Sequence, residues 1–591
     1  MINQSYSSAA LRMIYKFCQH NNMRRYRIPL PLICCLSLLL APFFTAHCQT
    51  TNNEATQELL RQKERERALR DQLETLPQAR FPRIFPILAE RLEEETPCFL
   101  IKHIQLTGEE AARFLWALTA ADPVNDPATG RCLGTNGINI VMMRIQNAII
   151  ARGFITTRIL AAPQDLTAET LLLTIISGRI RQIRFADGIS TLASAWNAVP
   201  AKSGDLLNLR DIEQALENFK RIPTVEADIQ ITPAEGNNAQ PGESDLVITW
   251  QQRVPPFRFH AGLDDAGSKT TGRLQGNITL SLDNYLTWND LFYLNINHDL
   301  FNGNNKGTHG YTTHYSLPYG YWMLAATVSG YKYHQTVAGV NQHYVYSGSS
   351  NNTELRLSRV IYRNAIRKIT LYGRGWARRS HAFIDDTEIQ LQRRRTGGWE
   401  LGLTHREYLG TSTLDAGLIY KRGTGAFKAI DAPEEALGEG TSRMRIINAN
   451  AQWIMPFNLS TQSLHYRGHW RAQWNRSALV AQDRFAIGGR YSVGGFDGEL
   501  TLMGERGWTL RNELGLGMGL AHELYLAIDY GYVGGLSTYH LLGHHLAGAV
   551  LGLRGNKYGF SWETFIGSAI SKPQGFKTDS LTAGFQVNAT Y

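Results

Sequence analysis

From about Arg253 to Tyr591 apolar and polar residues alternate with a period of two, the signature of strands that separate two environments. Along 273–282, Leu274, Gly276, Ile278, Leu280 and Leu282 alternate with Arg273, Gln275, Asn277, Thr279 and Ser281. Along 292–300, Phe292, Leu294, Ile296 and Leu300 alternate with Asn295, Asn297 and Asp299. Along 463–475, Leu464, Tyr466, Trp470, Ala472 and Trp474 alternate with Ser463, His465, Arg467, His469, Arg471, Gln473 and Asn475. A soluble sandwich would turn the apolar face to a core and the charged face to bulk water. Long strands whose charged faces recur over hundreds of residues fit lipid outside and a hydrated lumen inside. In a bilayer every backbone N–H and C=O needs a partner, so the sheet must close. About ten residues cross the hydrocarbon as a tilted strand, with about as many again for turns and loops. The 339 residues of 253–591 therefore predict a transmembrane β-barrel of roughly 16 antiparallel strands. The last strand keeps the pattern: Leu581, Ala583, Phe585, Val587, Ala589 and Tyr591 share one face. Phe585, Val587 and Tyr591 form a C-terminal barrel signal, and a terminal aromatic suits an interfacial girdle.

Upstream the period changes. Phe99–Ile101 and Ile104–Leu106 read as one strand, Glu109–Ala121 and Gly137–Arg152 as helices, and 155–160 and 170–176 as strands. This β-α-α-β-β order occupies 98–178. A related order occupies 179–252: a strand at Arg179–Phe185, a helix at Leu207–Ile222, and paired strands at Val225–Thr232 and Asp245–Gln251. Recurrence of one supersecondary unit is an organisational signal. Such small α+β modules expose sheet edges that accept an extended segment of another chain; the alternative is a spacer. Before them, 49–76 holds a polar helix with Glu58/Arg61, Glu64/Arg67 and Glu66/Arg70 spaced to support it. A helix polar nearly all round suits an aqueous pore. Pro77, Pro82 and Pro86 mark 77–97 as an extended linker. Arg24, Arg25 and Arg27 precede an apolar run from Ile28 to Phe44, and Ala46-His47-Cys48 offers a cleavage site, so 1–48 reads as a signal peptide. Met23 is an alternative start.

Composition adjusts this picture at a few points. A mean hydropathy of −0.25 excludes a helical membrane protein but not a barrel, whose strands are half polar. The net charge of +9 is spread along the chain, with no basic stripe for nucleic acid. The run Arg393-Arg394-Arg395 reads as a solvated strand end or loop beside anionic lipopolysaccharide. Of six cysteines only Cys98 and Cys132 follow the targeting segment. An even pair in an exported chain predicts one disulfide; the alternative is two buried thiols. No catalytic, cofactor or metal signature stands out. Gly515, Gly517 and Gly519 lack a βαβ context, no Walker loop occurs, and His522-Glu523 lacks the second histidine of a zinc helix.

Several stretches then carry a family resemblance. They are Gly153-Phe154-Ile155-Thr156-Thr157-Arg158 with Gln164-Asp165-Leu166, the Cys98/Cys132 pair, Asn289-Asp290-Leu291-Phe292-Tyr293 as an early barrel strand, and above all Ile487 to Glu499 (IGGRYSVGGFDGE). Together they resemble the ShlB/FhaC/HecB outer-membrane transporters of two-partner secretion, the hemolysin activation/secretion type. That family has a Val-Arg-Gly-Phe/Tyr motif on a loop folded back into the barrel, and an Asp-x-Gly motif on the facing wall. The matching residues here are Arg490, Tyr491, Val493, Gly494, Gly495, Phe496, Asp497 and Gly498 on the loop, and Asp529 and Gly531 on the wall. In the family the loop arginine pairs with the wall aspartate; here its position is Gly494. Asp529 shares a strand face with Glu523, opposite Leu524, Leu526 and Ile528, and is expected to face the lumen. Arg490 or Arg506 as a substitute cation, and a weakened lock, are the readings left open.

The resemblance implies a plug helix, a linker, two POTRA domains in the periplasm and a barrel in a Gram-negative outer membrane. It implies ATP-independent export of a large exoprotein (hemolysin, adhesin or contact-dependent toxin) recognised by its N-terminal secretion domain. It also implies contacts with periplasmic chaperones, the barrel assembly machinery, and lipopolysaccharide and outer-membrane lipid, and no catalytic residue, cofactor, metal or nucleic acid. The alternatives are an assembly factor of the BamA-like superfamily and a barrel enzyme.

Overall fold

The computed structural model describes residues 56–74, 79–81, 91–188, 192–235, 239–301, 303, 305–519 and 521–591. The signal peptide expected over 1–48, the start of the expected plug helix and Pro77, Pro82 and Pro86 lie outside the described residues.

Sixteen antiparallel strands close into a barrel, from Phe257–Asp264 round to Thr582–Thr590. Thr387–Glu388 is an extra two-residue strand that pairs only with the end of Arg367–Ile384, which itself continues the wall by pairing with Arg394–Leu409. Several wall strands show the same alternation. Along His522–Gly534, Tyr525, Ala527, Asp529, Gly531 and Val533 are buried inward, while Leu526, Ile528, Tyr530 and Tyr532 are exposed. Along Gln275–Asp283, Gln275, Thr279 and Ser281 are buried while Ile278 and Leu280 are exposed. Large apolar side chains left outside and polar ones buried inside invert a soluble core, as a bilayer solvent requires. The circuit closes at a short seam, five residue pairs from Gln586↔Asp264 to Thr590↔His260. Val587 and Tyr591 are exposed on its outer face, Phe585 is half-buried, and Arg253 lies over the Tyr591 ring at 5.9 Å.

Two small α+β units precede the barrel. In each a central strand has one parallel and one antiparallel neighbour. Thr170–Ile176 pairs in parallel with His103–Thr107 and antiparallel with Arg158–Leu160. Glu243–Gln252 pairs in parallel with Arg179–Phe185 and antiparallel with Val225–Pro233. The helix Thr135–Ala151 buries Ile140, Val141, Ile145 and Ile149 against Leu171, Leu173 and Ile175. The helix Leu209–Lys220 buries Leu209, Ile212, Ala215, Leu216 and Phe219 against the second sheet, and the Asn208 side chain caps it by accepting from the Arg210 N–H at 2.9 Å.

Three local expectations differ from the structure. The single strand read over Phe99–Leu106 is two strands in two sheets. Phe99–Ile101 pairs with Arg131–Leu133, setting Leu100 opposite Cys132, and Cys98 is bonded to Cys132. The helix read over Glu109–Ala121 is one α-turn, Ala111–Phe114, followed by a 3₁₀ turn, Leu115–Ala120. The tighter winding aligns i and i+3, which carries Phe114 and Ala117 together into the core and leaves Trp116 stacked on Arg152 at 3.6 Å. Asn289 and Asp290 belong to a turn before the strand Leu291–Asp299. The Asp290 carboxylate accepts the Leu286 and Trp288 N–H groups there, at 3.1 and 3.2 Å.

The second unit is joined to the barrel through polar groups. Its helix turns Glu213 and Glu217, both buried, toward the turn after His343–Arg363, where Arg363 meets them at 3.2 and 2.9 Å and Lys368 also pairs with Glu217. Arg221 donates to the Asn289 carbonyl at 2.7 Å. Burial pushes the Arg221 guanidinium down to about 10, so it remains a cation at neutral pH. Arg363 also donates to the Ala79 carbonyl at 3.0 Å, tying the segment after the lumen helix into the same joint.

The Cys98–Cys132 bond closes a loop of sequence separation 34. Replacing both cysteines by serine is expected to cost the first unit about 3 kcal/mol of stability. Limited proteolysis should then cut within 98–178 at a lower temperature, with the barrel unchanged in heat-modifiability on gels.

Candidate functional site

The lumen holds two elements: a helix from the N-terminal side and a hairpin folded in from the barrel end opposite the two units. Residues 56–73 are helical, and from Glu58 onward the side chains meet the wall. Glu58 pairs with Arg61 at 2.5 Å, and accepts from the Tyr331 hydroxyl and from Thr271 at 3.1 Å. Glu64 receives Arg471 at 3.0 Å, Arg65 donates to the Ala266 carbonyl at 2.9 Å, and Arg70 meets Glu354 at 3.0 Å. Glu74 accepts from the Tyr293 hydroxyl at 3.0 Å. The spacing that supports the helix thus serves the wall as much as the helix itself, since Glu64 and Arg70 turn outward to opposite charges. Glu58 is buried, whereas the Glu64–Arg471 and Arg70–Glu354 pairs keep partial exposure, and partly exposed ion pairs contribute about 0–1 kcal/mol each. Water can replace those two partly exposed pairs, so that stretch of the helix is held less tightly than its buried start at Glu58.

The inner hairpin is held differently. Phe485–Ile487 and Leu502–Gly504 pair, and Phe485, Ile487, Val493, Phe496, Leu502, Val533, Leu546 and Phe576 form an apolar cluster between loop and wall. Gly494, Gly495 and Phe496 press against three neighbouring strands through wall glycines. A Cβ on Gly531 would lie 2.7 Å from Val493, one on Gly548 would lie 2.0 Å from the Gly494 carbonyl, and one on Gly567 would lie 3.0 Å from Gly495. Gly495 itself has φ +84°, and its own Cβ would meet the Ser568 carbonyl at 2.4 Å, so no other residue fits there. Asp497 accepts from the Glu499 and Asp579 N–H groups, each at 3.2 Å. The Gly498 carbonyl accepts from Arg61 at 2.9 Å, joining hairpin to helix. Tyr491 is half-buried at the base of the tip.

Asp529 is buried, facing the lumen, and accepts the Gly494 N–H at 2.8 Å. Its cation is Arg511, 3.1 Å away on the adjacent strand Arg506–Gly517. Neither substitute named from the sequence fills this role. Arg506 is exposed, and Arg490 turns to Asp265 at 3.2 Å, to the Phe585 carbonyl at 3.3 Å and to the Phe565 ring at 4.8 Å. Arg490 therefore ties the loop to the seam between the first and last strands. Arg511 was missed because no motif marks it. Its signal is register: the hairpin that closes at Gly517↔Glu523 sets Arg511 opposite Asp529. Gly494 is also sterically committed, since a Cβ there would lie 2.6 Å from Val550.

A closed barrel whose hydrated lumen holds a polar helix and a folded-in loop, with two α+β units at one mouth, defines the class: an outer-membrane pore protein with periplasmic modules. A profile of the family described as haemolysin secretion/activation protein ShlB/FhaC/HecB matches residues 242–555, a ShlB-type POTRA domain matches 99–178, and a POTRA domain matches 179–233. The chain is 36% identical over 530 residues to the outer membrane transporter CdiB-2 of Burkholderia pseudomallei strain 1026b, covering 86% of this chain and 88% of that one. It is 25% identical over 412 residues to the hemolysin transporter protein ShlB of Serratia marcescens, covering 68% and 71%. The solved structure of CdiB from Acinetobacter baumannii superposes with a TM-score of 0.81 at 33% identity, covering 91% of this chain and 99% of that one. The chain belongs to the ShlB/FhaC/HecB family, the outer-membrane transporters of two-partner secretion.

Arg511 and the loop tip share one carboxylate. Arg511→Gln leaves Asp529 buried without its cation, at a cost of roughly 1–3 kcal/mol to loop seating. Gly494→Arg alone should lower secretion, because its Cβ meets Val550. In the Arg511→Gln background its penalty should shrink by about 1 kcal/mol, since the new guanidinium finds a free carboxylate. Secretion into the medium and protease access to the loop measure both; strictly additive effects would show that the two groups do not share Asp529.

Proposed function

We propose that this protein exports a large exoprotein, a hemolysin, adhesin or contact-dependent toxin, from the periplasm to the cell surface through its barrel. The observation that carries the reading is the contrast inside the lumen: a helix held to the wall by polar and charged contacts beside an apolar-seated loop. In this reading residues 49–76 are the plug that vacates the pore, 77–97 the tether, 98–178 and 179–252 the capture modules, and 253–591 the conduit. Signal peptide 1–48 directs the chain to export. The modules bind the N-terminal secretion domain of the passenger, and the edge strand Val225–Pro233 supports addition of an extended strand. The passenger then moves as an unfolded chain past charged, hydrated walls.

The motion requires no nucleotide and no catalytic residue. Folding of the passenger outside biases it. Arg490, Asp529 and Arg511 act as positioning residues that keep the loop seated against the wall. Phe585, Val587 and Tyr591 supply the C-terminal signal read by the barrel assembly machinery, which receives the chain from periplasmic chaperones. Lipopolysaccharide and phospholipid surround the finished barrel. The assembly-factor alternative is disfavoured by the two-module architecture and by relatives that are transporters.

Removal of 49–76 should raise single-channel conductance in planar bilayers; unchanged conductance argues against a plug. Removal of 98–178 should abolish release of a co-expressed exoprotein into the medium while the barrel stays heat-modifiable. Normal release by that variant would sink the capture role.

A further inference from the structure

The second α+β unit carries an aromatic residue that its own fold does not use. Trp196 lies in the connection between Arg179–Phe185 and Leu209–Lys220, and is 59% exposed. Leu192, in the same connection, is 44% exposed. An exposed tryptophan on a soluble domain usually rides on a loose loop, but this loop is firmly held. Buried Asn197 donates to the Trp288 carbonyl and to the Pro318 carbonyl at 3.2 Å, and its own carbonyl accepts the Gly320 N–H at 2.7 Å. Buried Asn289 donates to the Ser194 carbonyl at 2.8 Å and to the Asn197 side chain at 2.9 Å. Asn284 donates to the Leu192 carbonyl at 3.1 Å. Three asparagines thus bolt the loop to the first two turns at the near mouth of the barrel.

The place where it is bolted matters. Trp196 packs edge-on against Trp288 at 6.3 Å and tilted against Tyr319 at 6.1 Å. Tyr319 ends the strand Lys306–Tyr319, in which Thr312, His314 and Ser316 are buried inward. By the period of two, Tyr319 falls with Tyr311, Tyr315 and Leu317 on the outer, lipid side. Trp322, at the start of the next strand, is outward by the same count and exposed, and Tyr285, Leu286 and Trp288 in the neighbouring turn are exposed too. These residues make the near-mouth aromatic girdle, the level at which tryptophan and tyrosine sit between acyl chains and headgroups. Trp196 and Leu192 extend that girdle outward from the barrel. The sequence agrees independently: between Asp187 and Lys202 there is no charged residue, in a chain that is 19% charged.

We propose that the connection 192–197 of the second module is a lipid anchor, with Trp196 and Leu192 seated in the interfacial layer of the periplasmic leaflet, against phospholipid. The occupant follows from continuity with the girdle: a surface coplanar with lipid-facing aromatics meets the same lipid. The anchor fixes the second module at the pore mouth from outside the barrel while the Glu213/Glu217–Arg363 joint fixes it from the rim.

The test uses the exported, full-length protein, whose Cys98 and Cys132 are bonded to each other. Leu192→Cys and, as a control in the first module, Val124→Cys (97% exposed) are labelled with an environment-sensitive nitrobenzoxadiazole dye. Each is reconstituted into vesicles of phosphatidylethanolamine and phosphatidylglycerol with or without 5-doxyl phosphatidylcholine. Quenching at position 192 should exceed that at 124 by at least about two-fold, as for a group at the headgroup boundary. Equal quenching at the two positions overturns the proposal, and so does emission at 192 that is blue-shifted yet insensitive to doxyl lipid, which would mean protein contact alone. A label-free arm compares native protein with Trp196→Phe in vesicles containing brominated phospholipid. The native emission should be quenched more, and equal quenching also overturns the proposal.

Discussion

Backbone hydrogen bonding in a solvent that offers none is the constraint on which the rest of this protein depends. Lipid supplies no partner to an open sheet edge, so the strand Phe257–Asp264 must find Thr582–Thr590, and it does so through five residue pairs. Closure makes an inside. Because side chains alternate, each residue turned to lipid forces its neighbour inward, and the inner face becomes a polar surface with Glu354, Arg374, Arg471 and Asp529 on it. A polar lumen wide enough to hold a helix is a hole in the membrane unless it is filled. The helix from Glu58 onward and the hairpin of 485–504 fill it.

The two fillings obey different physics. The helix is charged on several sides and meets a charged wall, and its partly exposed pairs, Glu64–Arg471 and Arg70–Glu354, have a competitor in water. The hairpin brings its own apolar cluster and seats its tip on Gly531, Gly548 and Gly567, where the wall has no side chains. Close packing of backbone on backbone is geometrically exacting and has no aqueous substitute. Asp529 completes the seat by accepting one loop amide and one wall guanidinium. Both contacts fall on Oδ2, and a buried carboxylate paired with a cation is far less costly than a lone one. Arg490 does a separate task at the seam, near the shortest stretch of strand pairing in the circuit. Loop, helix and seam are thereby coupled: Arg61 reaches Gly498, and Arg490 reaches Asp265 and Phe585.

At the near mouth the same chain continues into the joint with the second module. Ala79 packs in that module's core cluster and its carbonyl is held by Arg363, which also grips Glu213 and Glu217. Ala79, the second module and the barrel rim thus share one joint.

The residue pattern alone assigned each segment its solvent. Alternation from Arg273 to Tyr591 dictated a barrel with lipid outside and water inside, and the count of about ten residues per crossing brought the strand number to roughly 16. It also placed Asp529 inward, from Leu524, Leu526 and Ile528 opposite, because parity is a local property. It supplied the recurrence of the two modules and the stretch around Gly494. Pairing was not legible, because partners are set by register across strands and by packing between elements. Arg511 carries no local mark until the hairpin through 517–523 sets it beside Asp529. Arg490 sits within the motif yet serves Asp265, 225 positions away in the chain. The split of Phe99–Leu106 into two sheets depended on Arg131–Leu133, and the 3₁₀ winding of Leu115–Ala120 on the space that Phe114 and Ala117 had to fill. Local pattern decides which way a side chain faces, whereas only the closed tertiary structure decides what it meets there.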